Sequence, residues 1–183
     1  FHNSRDVRLY GILGGPIIHR IVADTDALIA YARLDCWPAI RENLGITTTT
    51  TCYRELNQHS HDIDDFDEGK REKAEAAQRV LDALDDDSTL DYEFCGGVQE
   101  VGEWSIVELV KQNPDAVEVI LMMDSGDTEM AEGGRSYVRR QLDLQDIGVG
   151  MPSLGVPIGL LAQQEILSED EACANINEIA ERE

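Results

Sequence analysis

The run HRIVADTDALIAYARL, residues 19–34, constrains the fold more than any other stretch. Ile21, Val22 and Ala23 form an apolar triplet that suits a strand buried on both faces. Asp24-Thr25-Asp26 follows, and Ala27 to Ala32 then continue with helical character. A buried strand that passes straight into a helix is the first part of a βαβ unit. The same event recurs twice. Five successive threonines, Thr47–Thr51, are β-branched and favour a strand, with Tyr53 to Leu56 opening a helix. Val117 to Met123, apolar apart from Glu118, has the pattern of a buried parallel strand and runs into Asp124-Ser125-Gly126-Asp127.

Helical patterns fill the intervals. CWPAIRENLG gives a short helix stopped at Gly45. HSHDIDDFDEGKREK, His59 to Lys73, reads as a solvated loop leading into a helix with Ala74, Ala77, Leu81 and Leu84 on one face. A short edge strand is expected at Tyr92 to Cys95. GEWSIVELVKQNPD places Ile106, Val107 and Val110 at helical spacing, and TEMAEGGRSYVRRQL has helical character on either side of Gly133-Gly134. DIGVGMPS suits a last short strand, and LGVPIGLLAQQEIL a helix with Leu154, Ile158 and Leu161 inward. Ser168 with Glu171 is a capping box for a final helix. Strands alternating with helices give an α/β fold, a three-layer α/β/α sandwich around a central, mainly parallel sheet. Residues 1–18 lack pattern and are set aside as an extension. Residues 19–183 are expected to form a single domain, with a charged helical insertion around 57–90.

The chain carries 37 acidic and 15 basic residues, a formal charge of -22, with 42% hydrophobic content that keeps it in the globular class. The acids are spread along the chain, which reads as adaptation to molar intracellular salt rather than as an acidic tail. At ~1 M salt the Debye length is about 3 Å, so a nucleic-acid partner is not excluded by net charge, although long-range steering towards it is. Cys36, Cys52, Cys95 and Cys173 form no CxxC pair. Without a zinc pattern or a secretion signal they are expected as free thiols in a reducing cytoplasm. No apolar run reaches the ~18 residues that span a bilayer, so no membrane partner is expected.

Asp24 and Asp124 each end an apolar strand, Glu55 follows the threonine strand, and Asp127 stands one turn beyond Asp124. In a parallel sheet the carboxyl ends of the strands share one edge, where open α/β proteins keep their sites. Carboxylates converging there repel one another unless a cation is present. Oxygen donors without imidazole or thiolate favour Mg²⁺ or Mn²⁺ over zinc. Such an ion suits hydrolysis of a phosphodiester. Each acid is also placed where a helix N-cap or a loop residue would stand, and that reading stays open for any one of them.

IVADTDALIA resembles the opening of PIN-domain nucleases, a strand ending in Asp, then Thr or Ser, then a small apolar helix. TTTTTCYREL resembles their second strand and the helix start ending in Glu-Leu. GEWSIVELV is similar to their Gly-Glu-x-Ser motif, VEVILMMDSGD to the strand ending in one or two aspartates, and PSLGVPIGLL to the C-terminal turn and helix. The ordered set spans about residues 19–167, and together with the acidic composition the resemblance is to a halophilic archaeal type. The resemblance implies that Asp24, Glu55, Glu103 and Asp124 form the acidic metal pocket, with Asp127 an accessory ligand or a substitute for Asp124. It implies that Thr25 holds a carboxylate or a water of the ion. It further implies a Mg²⁺- or Mn²⁺-dependent endoribonuclease acting on single-stranded RNA, as the toxin of a toxin–antitoxin pair or as an RNA-processing factor. An antitoxin protein and a homodimer are the partners it suggests. Ser125-Gly126 separate two aspartates that many members keep adjacent, which motivates a second reading as a catalytically inactive interaction module.

Arg135, Arg139 and Arg140 are the basic cluster of GGRSYVRRQ, spaced to share a helix face and contact RNA phosphates, or to pair with nearby acids. His59 and His61 are better explained by solvation than by a metal. GILGGP lacks the Gly-Lys-Ser/Thr ending of a phosphate loop. A receiver-like regulator would need a lysine after a late strand, and DIGVGMPS has none.

Overall fold

The computed structural model describes residues 20–62, 67–85, 91–93, 101–123 and 134–182. Among them four strands, β1 (Arg20–Ala23), β2 (Ile46–Thr49), β3 (Asp91–Glu93) and β4 (Val117–Leu121), form one sheet in the order β3-β2-β1-β4. Every pairing is parallel. The fold is therefore a three-layer α/β/α arrangement around a parallel sheet. The chain adds β2 and β3 on one side of β1 and then crosses to place β4 on the other. The order reverses between β1 and β4, which makes the carboxyl ends of these strands the crevice of the sheet.

The helices among the described residues are α1 (Thr25–Ala32), α2 (Trp37–Asn43), α3 (Thr50–His61), α4 (Glu68–Asp85), α5 (Gly102–Gln112), α6 (Gly134–Asp143), α7 (Gly155–Gln163) and α8 (Glu169–Ala180). Strand alternation sends side chains to opposite faces. Ile21 and Ala23 enter one core with Leu28, Tyr31, Ile40, Leu56, Val80, Leu154 and Ile158. Val22 enters the other with Ile106, Val110, Val138 and Leu142. In β4, Val117 and Ile120 face this second core although they stand three positions apart, an odd spacing that would otherwise send them to opposite faces. The register explains it: Arg20 pairs with Val117 but Ile21 pairs with Val119, so an extra residue, Glu118, is accommodated as a bulge. Gly150 meets the bulge, donating to the Glu118 carbonyl at 2.7 Å and accepting from Ile120 N–H at 2.8 Å. The strand expected in DIGVGMPS reduces to this single parallel bridge.

Several boundaries differ from the sequence expectation. The threonine run is divided, with β2 ending at Thr49 and α3 beginning at Thr50. Thr49 Oγ1 accepts the Cys52 N–H at 3.1 Å, so a side-chain cap overrides β-propensity. His59 and His61 lie on α3 rather than in a solvated loop. His61 Nδ1 lies 2.7 Å from the Asn57 carbonyl one turn back. Other elements follow the sequence pattern. Ala74, Ala77, Leu81 and Leu84 of α4 are buried, as are Leu154, Ile158 and Leu161 around α7. The Ser168–Glu171 capping box is present at α8. The edge strand is β3, shifted to Asp91–Glu93. The region 1–18, Phe94, Cys95, the segment before Gly134, Asp124 and Asp127 lie outside the described residues.

Candidate active site

Asp24 ends β1 and is the N-cap of α1. Its backbone is extended, and its Oδ1 accepts the Ala27 N–H at 2.7 Å. Its own N–H donates to the Leu121 carbonyl at 3.1 Å, which ties it to the end of β4. The cap explains why a strand turns into a helix at this residue: an Asp satisfies one of the helix's unpaired amides. It also points a half-buried carboxylate into the crevice.

Glu55 reaches the same edge from the second turn of α3. Its Oε2 accepts from the Thr25 hydroxyl at 2.5 Å, and its Oε1 from the Gly102 N–H at 2.9 Å. The second bond places an anion at the N-terminus of α5, whose N-cap Val101 supplies no side-chain bond. Gly102 leaves no room for a side chain, since a Cβ there would lie 2.9 Å from Glu55 Oε2 and 3.3 Å from Cys52 Sγ. A cross-link anchors α5 to β2. Thr49 Oγ1 and Ser105 Oγ are 2.6 Å apart, and Ser105 donates to the Gly102 carbonyl at 2.6 Å. Glu103, next along α5, packs against Gly134 at the start of α6, where a Cβ would meet its Cγ at 3.0 Å.

Asp24, Glu55 and Glu103 thus share one locality, close enough to repel one another. Burial holds Asp24 well above the ordinary aspartate value, opposed by the Ala27 N–H and reinforced by Asp26, Glu103 and Glu55. Burial likewise raises Glu55, opposed by Thr25 and Gly102 and reinforced by Glu103 and Asp26. Such a donor set suits a hard divalent cation, whose charge offsets both the desolvation and the repulsion. Among the described residues no three His, Cys, Asp or Glu side chains are near enough together to hold an ion by themselves. Asp124 and Asp127, the further donors expected from the sequence, lie outside the described residues.

Asp26 was not expected at the site, yet it acts on both half-buried acids and pairs with Lys73 Nζ of α4 at 3.2 Å. The sequence signal was the spacing Asp-x-Asp, read only at its first member. The buried, hydrogen-bonded Thr49 and Ser105 left no signal beyond their place in motifs. Arg135 is committed to the Met151 carbonyl, whereas Arg139 and Arg140 are exposed on α6. No helix among the described residues is long and apolar enough to cross a membrane.

A family model described as Halobacterial PIN domain matches residues 15–183. No curated protein matches the chain.

Proposed function

Because the chain belongs to the halobacterial PIN-domain family, we propose that it is a Mg²⁺- or Mn²⁺-dependent endoribonuclease acting on single-stranded RNA. The family points to a nuclease-type function and to RNA as ligand. The observation that carries the finer reading is the meeting of half-buried, mutually repelling Asp24 and Glu55 with Glu103 at the sheet crevice. In this reading Asp24, Glu55, Glu103 and Asp124 hold the ion, with Asp127 as an accessory ligand. When bound, a divalent ion polarises the phosphodiester and lowers the pKa of water, supplying the nucleophile at neutral pH. The chain's own part is positioning. The Ala27 amide orients Asp24, and the Thr25 hydroxyl and Gly102 amide fix both oxygens of Glu55. Such bonds hold ligands in register without adding positive charge that would compete with the ion.

Asp24→Asn tests this directly. Asn caps a helix about as well as Asp, so α1 keeps its start while one anionic donor is lost. The expected result is a folded protein that no longer cleaves single-stranded RNA in Mn²⁺ and molar KCl. Cleavage at the parent's rate would remove Asp24 from the mechanism. A toxin role or an RNA-processing role are the two settings for such an activity. An antitoxin and a second copy are the protein partners to seek.

The second reading is an inactive interaction module. Its motivation is Ser125-Gly126, which stand between Asp124 and Asp127 in the sequence. It predicts no Mn²⁺ uptake by calorimetry.

A further inference from the structure

A solvent-facing seam between α5 and α6 continues from the acid locality. Glu103 meets Gly134, and the next residue of α5, Trp104, stacks on Tyr137, about one turn beyond Gly134 on α6. Positions 134 and 137 share one face of α6, about 5 Å apart along its axis. The two rings have centroids 6.3 Å apart and planes inclined by 24°. The Arg140 guanidinium lies 6.0 Å from the Tyr137 centroid. Trp104 is 45% exposed, the largest side chain among the exposed hydrophobics, whereas Trp37 is buried at 6%. Trp104 and Tyr137 line a shallow hollow with Val107, Glu108 and Lys111. Lys111 pairs with Glu108 at 3.2 Å, so the rim is close to neutral in charge.

We infer that Trp104 and Tyr137 are a stacking platform for a nucleobase of single-stranded RNA held beside the acid pocket. The inference deepens the ribonuclease reading and rests on its choice of RNA. A chain of formal charge -22 repels a polyanion at low salt. At molar salt that repulsion is screened, but so is the attraction of basic side chains for phosphate, and counterion release contributes little. Affinity must then come from contacts that salt does not weaken. Base–aromatic stacking is such a contact, and it tolerates any base sequence. An exposed, pre-stacked aromatic pair with a charge-balanced rim, whose Trp104 directly follows Glu103, meets that requirement.

The test is binding of a fluorescein-labelled ten-nucleotide single-stranded RNA to the full chain in 2 M KCl with EDTA, followed by anisotropy and tryptophan fluorescence. Binding quenches the exposed Trp104 while buried Trp37 reports an unchanged fold. Trp104→Ala weakens binding about tenfold and Trp104→Phe recovers most of the loss. An abasic oligonucleotide of equal length binds the parent as poorly as RNA binds Trp104→Ala. Equal affinity of parent and Trp104→Ala, or of RNA and its abasic counterpart, overturns the inference. So does a parent that binds no oligonucleotide but sediments as a dimer broken by Trp104→Ala, an outcome assigning the platform to a second copy. RNA cleavage in Mn²⁺ is scored separately. Cleavage with unchanged KM in Trp104→Ala sinks the platform and spares the nuclease, whereas base-dependent quenching without cleavage does the reverse.

Discussion

Asp24 has two roles that pull in different directions. As the N-cap of α1 it needs only an acceptor oxygen, yet as an anion it is desolvated and crowded by Asp26, Glu103 and Glu55. Its pKa is raised, and so is that of Glu55. The folded, metal-free protein therefore binds more protons than the unfolded chain above the ordinary carboxylate value of about 4. These two groups stabilise the fold least when both are charged. Their contribution falls as pH rises from the unfolded value through the raised ones. Urea denaturation in EDTA should show a smaller decline with pH for Asp24→Asn than for the parent, since Asn does not titrate. Identical slopes would mean that Asp24 is not perturbed in the folded state.

At the scale of elements, α5 is the part that assembles the site, because its N-terminus receives Glu55 and its next residue is Glu103. Gly102→Ala forces a methyl group into the Glu55 carboxylate and Cys52. Overpacking of this kind costs about 1–3 kcal/mol, read as a lowered denaturation midpoint, and RNA cleavage should fall with it. Ser168→Ala is the contrasting case, losing a cap on α8 that touches neither the crevice nor the α5–α6 seam. It should cost about 1 kcal/mol and leave cleavage unchanged. Much of this layer was legible beforehand. Hydrophobic period gave α4, α5 and α7, and the Ser168–Glu171 box is local chemistry that a sequence displays directly. The Thr49/Thr50 boundary was not legible, because strand preference and capping compete within a run of identical residues and tertiary contact with Ser105 favours the cap. The α3 extension to His61 was missed because polar residues carry little apolar signal. Glu55 stood out in the sequence, but its hydrogen bonds to Thr25 and Gly102 depend on a sheet order that only the fold reveals.

For the whole molecule, the parallel sheet order explains why acids distant along the chain share one edge, with the reversal between β1 and β4 opening the crevice beside Asp24. The formal charge of -22 sets the conditions in which this works. Raising KCl from 0.1 to 2 M should increase the melting temperature steadily, as self-repulsion is screened over ever shorter distances. A flat or falling profile would contradict electrostatic limitation of the fold. The central claim, that Asp24, Glu55 and Glu103 belong to one divalent-cation pocket, is tested most directly by titrating Mn²⁺ into the protein in 2 M KCl by calorimetry. The account predicts saturable uptake by the parent, weakened at least about tenfold in Asp24→Asn and in Glu103→Gln, with circular dichroism unchanged. No uptake by the parent, or equal affinity in all three proteins, would contradict it.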